Sequence, residues 1–498
     1  MVSGFSQTPA RRSVKEPSPR ADSVQKMALR RVCLLLSLLA TSALLAGCAG
    51  SEQTGASVPD SASLAPADAA AFATLTTDQD SSQWQRAGSL WERVTGNDEG
   101  IGGAIDEIFG ARGLDWEADV APAIGPEVVL VVTADTRMVV LLEPDSEAKL
   151  DALLAKSGAE FARAEIEGRV ALAEKAADLT AYRTALARGT IEENPAFLAG
   201  LGALPAESLG LMWVDLAAVT EELGSIVEQT TSQKLEVGLD WLSAALSAED
   251  DGMLLAFGAR TPGGGDTHYE PVLFDRVPAD AVAAFSFGGT QGALDRIQGQ
   301  VDVGEIAGAI EKATGISVEG LLDALTGEGV LYVRPGEEIP EVTLALAPPD
   351  PDKTWKTVDD LVHELAEEAK TTVSTSTEQG VEVSKLVVDD VTVRYARLDE
   401  KTIVVTTGAD ALQLLAGDGD KLVDSEGFVR AADDVDLGER TKGFLYVDVD
   451  GLLPVIEGFA GGAVPPDATE GFEALDSFIL QTSGAGDVTR VSGFVRVK

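Results

Sequence analysis

The sequence predicts an α+β fold of two tandem homologous domains, each a mostly antiparallel sheet with helices packed on one face. Three observations predict it. One order of short apolar strands and amphipathic stretches occurs twice along the chain. Strand pairs are mixed with helices and do not alternate strictly with them, which disfavours a doubly wound parallel sheet. The breaker run Thr261-Pro262-Gly263-Gly264-Gly265-Asp266 divides the two copies.

Taken in order, the first copy opens at Pro66-Ala67-Asp68 and the second at Pro278-Ala279-Asp280, each leading into a short apolar strand. Helical stretches follow around Ile101–Phe109 and Ile306–Ala313. A Gly-containing turn then feeds Glu127–Val132 in one copy and Glu328–Val333 in the other. The run Val139–Asp145 matches Thr343–Asp350, and each precedes a charged amphipathic helix. Val170-Ala171-Leu172 matches Ile403-Val404-Val405 at an offset of 233, and Leu211–Leu216 matches Phe444–Val449 at the same offset. Phe197 falls opposite Phe428, and both copies end in strands, Met253–Ala259 and Val491–Val497. The second copy holds an insertion near Thr371–Glu400, where Val381–Val388 and Val391–Leu398 flank Asp389-Asp390 as a hairpin. The domains are expected at 64–260 and 277–498, with a linker at 261–276.

Residues 1–48 read as a signal peptide. Arg30-Arg31 form a basic n-region, and Val32–Ala46 carries no charge. That run is shorter than the ~20 residues a spanning helix needs. It ends in Leu45-Ala46-Gly47-Cys48, which resembles a bacterial lipobox. The resemblance implies cleavage before Cys48 and attachment of a diacylglyceryl group to its thiol, the strongest nucleophile available for a thioether. Met27 stands where a conventional signal peptide starts and is the expected start of translation, with Met1 the alternative. Residues 49–63 read as a flexible tether with a reach of roughly 20 Å. The expected location is the cell membrane, lipid-anchored, on the extracytoplasmic side.

The chain has 498 residues, 45% of them hydrophobic and only 5% aromatic, so its core must rest on aliphatic side chains. The net charge of −44 repels phosphate backbones and excludes nucleic acid as a partner. Anionic lipid headgroups are repelled as well. Both cysteines, Cys33 and Cys48, precede the body, which leaves no thiol there for disulfides, metal or catalysis.

Several motifs touch on chemistry and stop short of it. His363-Glu364-Leu365-Ala366-Glu367 has Glu367 where a zinc-protease helix needs its second histidine. Ser146-Glu147-Ala148-Lys149 has the SxxK spacing, but it starts a helix, where serine is an expected cap, and the companion motifs are missing. Asp448-Val449-Asp450-Gly451 and Asp418-Gly419-Asp420 do not complete a calcium loop. Asp215 and its counterpart Asp448 read as strand-end caps, and His268 as an exposed residue beside the linker. No catalytic, metal or cofactor residues are assigned, and Cys48 is the one assigned site.

The order of Pro66-Ala67-Asp68, the Gly-Glu turn, Asn194-Pro195-Ala196-Phe197 and Trp213-Val214-Asp215-Leu216 resembles an uncharacterised bacterial lipoprotein family common in actinobacteria, known only as a domain of unknown function. The resemblance spans about 64–498. It implies an extracytoplasmic lipoprotein and supplies no activity. The second copy has Ser425-Glu426-Gly427-Phe428 in place of the Asn-Pro-Ala-Phe run.

The expected role is a non-enzymatic binding or scaffold protein of the cell envelope, with the membrane as partner through its anchor. An envelope protein or an apolar ligand completes the expected partners. The alternatives are a carrier of a lipid or other apolar ligand and a carboxylate-dependent hydrolase, which needs two facing acids roughly 5–10 Å apart.

Overall fold

Val, Ile, Leu and aromatic residues in runs of four to eleven positions form most of the strands, and polar caps start several of the helices between them. The computed structural model describes residues 55–96, 100–111, 113–158, 160–219, 238–263, 268–288, 325–337, 339–378, 380–388, 391–417, 419–459 and 470–498. The signal segment, Cys48, Asp418 and the stretch Ile306–Ala313 lie outside the described residues, as do 264–267 of the expected linker.

In chain order the elements are β1 (Ala71–Thr76), α1 (Ser82–Thr95), α2 (Gly100–Gly110), α3 (Ala121–Ile124), β2 (Glu127–Val132), β3 (Met138–Leu142), α4 (Glu147–Ser157), β4 (Ala162–Ile166) and β5 (Arg169–Ala173). Then come α5 (Ala176–Leu186), α6 (Pro195–Leu201), β6 (Gly210–Asp215), β7 (Trp241–Glu249), β8 (Gly252–Arg260), β9 (Ala283–Phe287), β10 (Glu328–Arg334) and β11 (Glu341–Ala347). The remainder are α7 (Pro351–Glu368), β12 (Ser374–Glu378), β13 (Val381–Val388), β14 (Val391–Arg397), β15 (Ile403–Thr406), α8 (Ala411–Ala416), α9 (Glu426–Asp434), β16 (Gly443–Asp448), α10 (Val449–Phe459), β17 (Leu475–Ala485) and β18 (Val488–Val497).

Among the described residues all 18 strands join one sheet, and every pairing is antiparallel. From the β8–β18 pair outward, one side runs β8, β7, β6, β1, β2, β3, β5, β4. The other runs β18, β17, β16, β9, β10, β11, β15, β14, and then β13 and β12. The expectation of two sheets, one per tandem domain, therefore gives way to a single α+β sheet. The cause is the hydrogen bonding of β8 to β18 over nine paired positions, which leaves no free edge at the middle.

Helices pack on both faces of the sheet, not on one as expected. On the first face, Phe72, Val131, Trp213 and Trp241 meet Tyr182 of α5 and Phe197 of α6, while Tyr332, Phe444 and Tyr446 meet Leu415 of α8 and Phe428 of α9. The alternate residues of the same strands pack oppositely. Leu142 and Leu172 meet Ala123 of α3 and Leu150 of α4, and Leu386 and Tyr395 meet Val362 of α7. Helix α1 lays Ala87 and Leu90 against Ala248 and Val497 on this second face. Strands such as Glu127–Val132 are apolar at successive positions, so both of their faces need cover.

The two Phe-bearing helices begin alike. The Asn194 side chain accepts from the Phe197 N–H at 3.3 Å, and the Ser425 hydroxyl accepts from the Phe428 N–H at 3.3 Å. Phe197 then meets Trp213 edge-on at 5.7 Å, and Phe428 meets Tyr446 edge-on at 5.3 Å. Gly200 is required beside Trp213, because a Cβ there falls 2.6 Å from the indole ring.

Candidate functional site

The second face carries the feature that needs a functional account. Cross-strand pairing sets Leu331, Phe285, Leu445, Leu480, Gly493, Leu255, Leu246, Gly210 and Leu75 in one row from β10 to β1. At ~4.8 Å per strand the row is about 40 Å long. Burial of a sheet face normally removes such side chains from water. Here Leu75 is 49% exposed, Phe285 42%, Leu255 40%, Leu246 39% and Leu331 38%.

The flanking rows are apolar too, and in the first of them Val491, Phe257 and Ala244 are buried. One holds Phe287, Val491, Phe257, Ala244, Met212 and Ala73, with Thr482 its one hydroxyl. The other holds Val333, Ala283, Val447, Phe478, Val495 and Met253. No charged side chain enters these three rows between β10 and β1. Phe285 and Phe287 stack at 5.5 Å, and the Phe287 ring lies over Gly329, where a Cβ would fall 2.2 Å from it. Helix α1 covers one end of the face near Ala248 and Met253, and α3 and α4 cover the far side beyond Val128.

The motifs singled out in the sequence are spread apart and engaged in local structure. Ser146 caps α4 by accepting from the Lys149 N–H at 3.4 Å, and the Lys149 ammonium lies 3.3 Å from Asp119. Helix α7 carries an exposed His363, whose Nδ1 is 2.9 Å from the Asp359 carbonyl oxygen. Asp215 accepts from the Ala218 N–H and Asp448 from the Gly451 N–H, both at 3.0 Å, so the two carboxylates cap the turns after β6 and β16. Three carboxylates, Asp280, Glu341 and Asp410, lie 2.8, 3.0 and 2.9 Å from the one guanidinium of Arg334. Hydrogen bonding to Asp280, ahead of the opposing effect of burial, raises the pKa of that guanidinium. Among the described residues no group of His, Cys, Asp or Glu is arranged to hold a metal ion. No described helix is long and apolar enough to cross a membrane.

Sequence reasoning missed the apolar face. Its signal was present: Phe285 and Phe287 alternate with Ala284 and Ser286, and Leu211-Met212-Trp213-Val214 is apolar at every position. Such runs read as strands buried on both sides.

No family model matches the chain, and no curated protein matches it. Among solved structures, three crystal forms of TP0453 align with it. Form IV covers 45% of this chain and 92% of its own, at 12% identity and a TM-score of 0.26. Form III covers 45% and 93%, at 11% identity and 0.24. Form I covers 44% and 84%, at 12% identity and 0.23.

Proposed function

We propose that the chain is a membrane-anchored extracytoplasmic lipoprotein, attached through Cys48, that binds the acyl portion of a lipid along the apolar row without turnover. The observation that carries this reading is the half-exposed, charge-free row from Leu331 to Leu75. An acyl chain makes no hydrogen bonds and needs none from the protein. Protein interfaces, in contrast, favour Arg, Tyr and Trp among their anchors, and the three rows hold none of them. Exposed apolar surface of this extent marks a binding face. A tether of roughly 20 Å keeps the body beside a source of lipid. The net charge of −44 favours a neutral or zwitterionic headgroup over an anionic one.

The body is further read as two tandem homologous modules. Its support is the strand order, which repeats outward from β8 and β18, together with the shared caps and edge-on aromatic pairs. The strands β12 and β13 are the insertion in the second module.

The test is native mass spectrometry of residues Ser51–Lys498 purified without detergent, with lipid expected at near-stoichiometric occupancy. Replacing either Leu331 or Phe285 with Asp should weaken a fluorescent acyl probe roughly tenfold to a hundredfold, from about 1.5–3 kcal/mol of contact for one side chain. Empty protein that also ignores the probe sinks the carrier reading. Capture of an envelope protein by the same face would put the scaffold reading in its place.

A further inference from the structure

The seam at the middle of the sheet has a symmetry of its own. A step of 236 positions carries Gly252 to Val488, Ala256 to Ser492 and Arg260 to Arg496. The observed register pairs Arg260 with Val488, Ala256 with Ser492 and Gly252 with Arg496. Each residue of β8 therefore faces the counterpart of the β8 residue that a twofold axis at Ala256 and Ser492 would bring there. The same step carries Asp251, in the β7–β8 turn, to Asp487, in the β17–β18 turn. Arg260 lies 3.6 Å from Asp487, and Arg496 lies 3.0 Å from Asp251. These two ion pairs exchange under the step, as contacts do across a twofold dimer interface.

We propose that β8 and β18 are self-complementary edges, so that each half of the molecule accepts a second copy of itself in place of the other half. The proposal rests on the reading of the body as two homologous modules. Like-with-like pairing keeps the register and the two terminal ion pairs of the seam. In β8 against a second β8, Ala256 opposes Ala256, the larger Leu254 opposes Gly258, and Arg260 meets Asp251 at both ends. In β18 against a second β18, Ser492 opposes Ser492, Arg490 opposes Phe494, and Arg496 meets Asp487. An axis perpendicular to the sheet also keeps each apolar face against its like. That matches the seam as it stands, where Ala256 of one core and Phe494 of the other point to the same side. The strand hydrogen bonds of the nine paired positions are indifferent to which half supplies them.

The experiment places a protease site at 264–267 of the full chain and cuts the folded protein. Native mass spectrometry should first show the two halves as a one-to-one complex. After unfolding in urea and dilution, the soluble fraction should contain pairs of the first half and pairs of the second half beside the mixed complex. Recovery of the mixed complex alone, or of single halves, overturns self-pairing. The mixed complex alone would still leave intact the repeated strand order on which the two-module reading stands. Arg260→Asp sharpens the result. Across the seam it sets like charges together twice in pairs of the first half, once in the mixed complex and never in pairs of the second half, while Asp240 opposes it equally in every copy of the first half. The first species should fall relative to the second by roughly threefold, and an equal loss of all three overturns the proposed register.

Discussion

Glu127 opens β2 and Glu328 opens β10, and each strand has the same place in its half, yet the two carboxylates live in different surroundings. Glu127 accepts from the Ser61 hydroxyl at 2.9 Å and lies 2.8 Å from the guanidinium of Arg169, at the start of β5. Glu328 accepts instead from the Leu273 N–H, and the place before β15 is held by Thr402, which turns to Asp399. Burial pushes Glu328 up to about 7, with Asp275 adding to the rise and the Leu273 hydrogen bond and the Arg276 charge opposing it. The same backbone position is thus part of an ion pair in one half and a neutral-range acid in the other. A shared fold fixes where a carboxylate sits, and its neighbours fix what it bonds to.

The cores differ in a related way. In one half Phe72 lies opposite Val131, and in the other Ala284 lies opposite Tyr332. The aromatic ring has moved one strand over, which keeps the volume of each pair nearly constant. This gives the largest expected effect. Phe72→Ala should cost about 3–5 kcal/mol in urea titrations. Adding Val131→Tyr, which copies the arrangement of the other half, should recover more than half of that loss. A double variant no more stable than the single one breaks the equivalence of the two cores.

The next effect separates the carboxylates. Arg169→Met leaves Glu127 with the Ser61 hydroxyl but no cation, and should cost about 1–2 kcal/mol at pH 7, since breaking a half-buried pair strands its partner. The corresponding change on the other side, Thr402→Met, has no ion pair to break and should cost less. Equal losses would show that the Arg169 contact is packing and not charge.

The smallest effect is a pH dependence. The folded pKa of Glu328 lies above the unfolded value, so the folded state holds more protons between about pH 4.5 and 7. Stability should fall as pH rises through that window and be level with respect to this group above it. Glu328→Gln keeps an acceptor for the Leu273 N–H and removes the charge. It should gain about 1 kcal/mol at pH 8, discounted for the part of the group that water reaches, and nothing at pH 4. A constant gain at both pH values would exclude ionisation as the cause.

Local structure was largely legible in the sequence. The matched segments Leu211–Leu216 and Phe444–Val449 became β6 and β16, and the expected hairpin became β13 and β14, of which β14 takes the place of β4 and only β13, with β12, is extra. What escaped was set by contacts between distant positions. Trp241–Glu249 is rich in Ala and Ser, which favour no strand, and only pairing with β6 and β8 makes it β7. The polar Ser374–Glu378 joins as β12 because β13 offers it an edge. The union of β8 with β18 has no local signal at all, since both strands look the same whether free or paired. The apolar face was hidden for a similar reason. The spacing of side chains along a strand is legible, but whether a helix lies over them depends on the whole chain. The assigned Cys48 lies outside the described residues and stays a prediction of its own flanking sequence.

The position of β18 also sets a schedule for folding. It is the last of the eighteen strands in chain order and stands in the middle of the sheet, between β17 and β8. Strand β8, with Met253, Leu255 and Phe257 on one side, is complete long before its partner exists. At ~5–20 residues per second of synthesis, its edge waits on the order of ten to fifty seconds. During that interval the first half is a sheet with an open, apolar, self-matching border, and two nascent chains on one messenger could close each other's gap before either closes its own. Slow synthesis across residues 268–488 should therefore lengthen the exposure, and a chaperone that covers one strand edge would be of most use over that stretch.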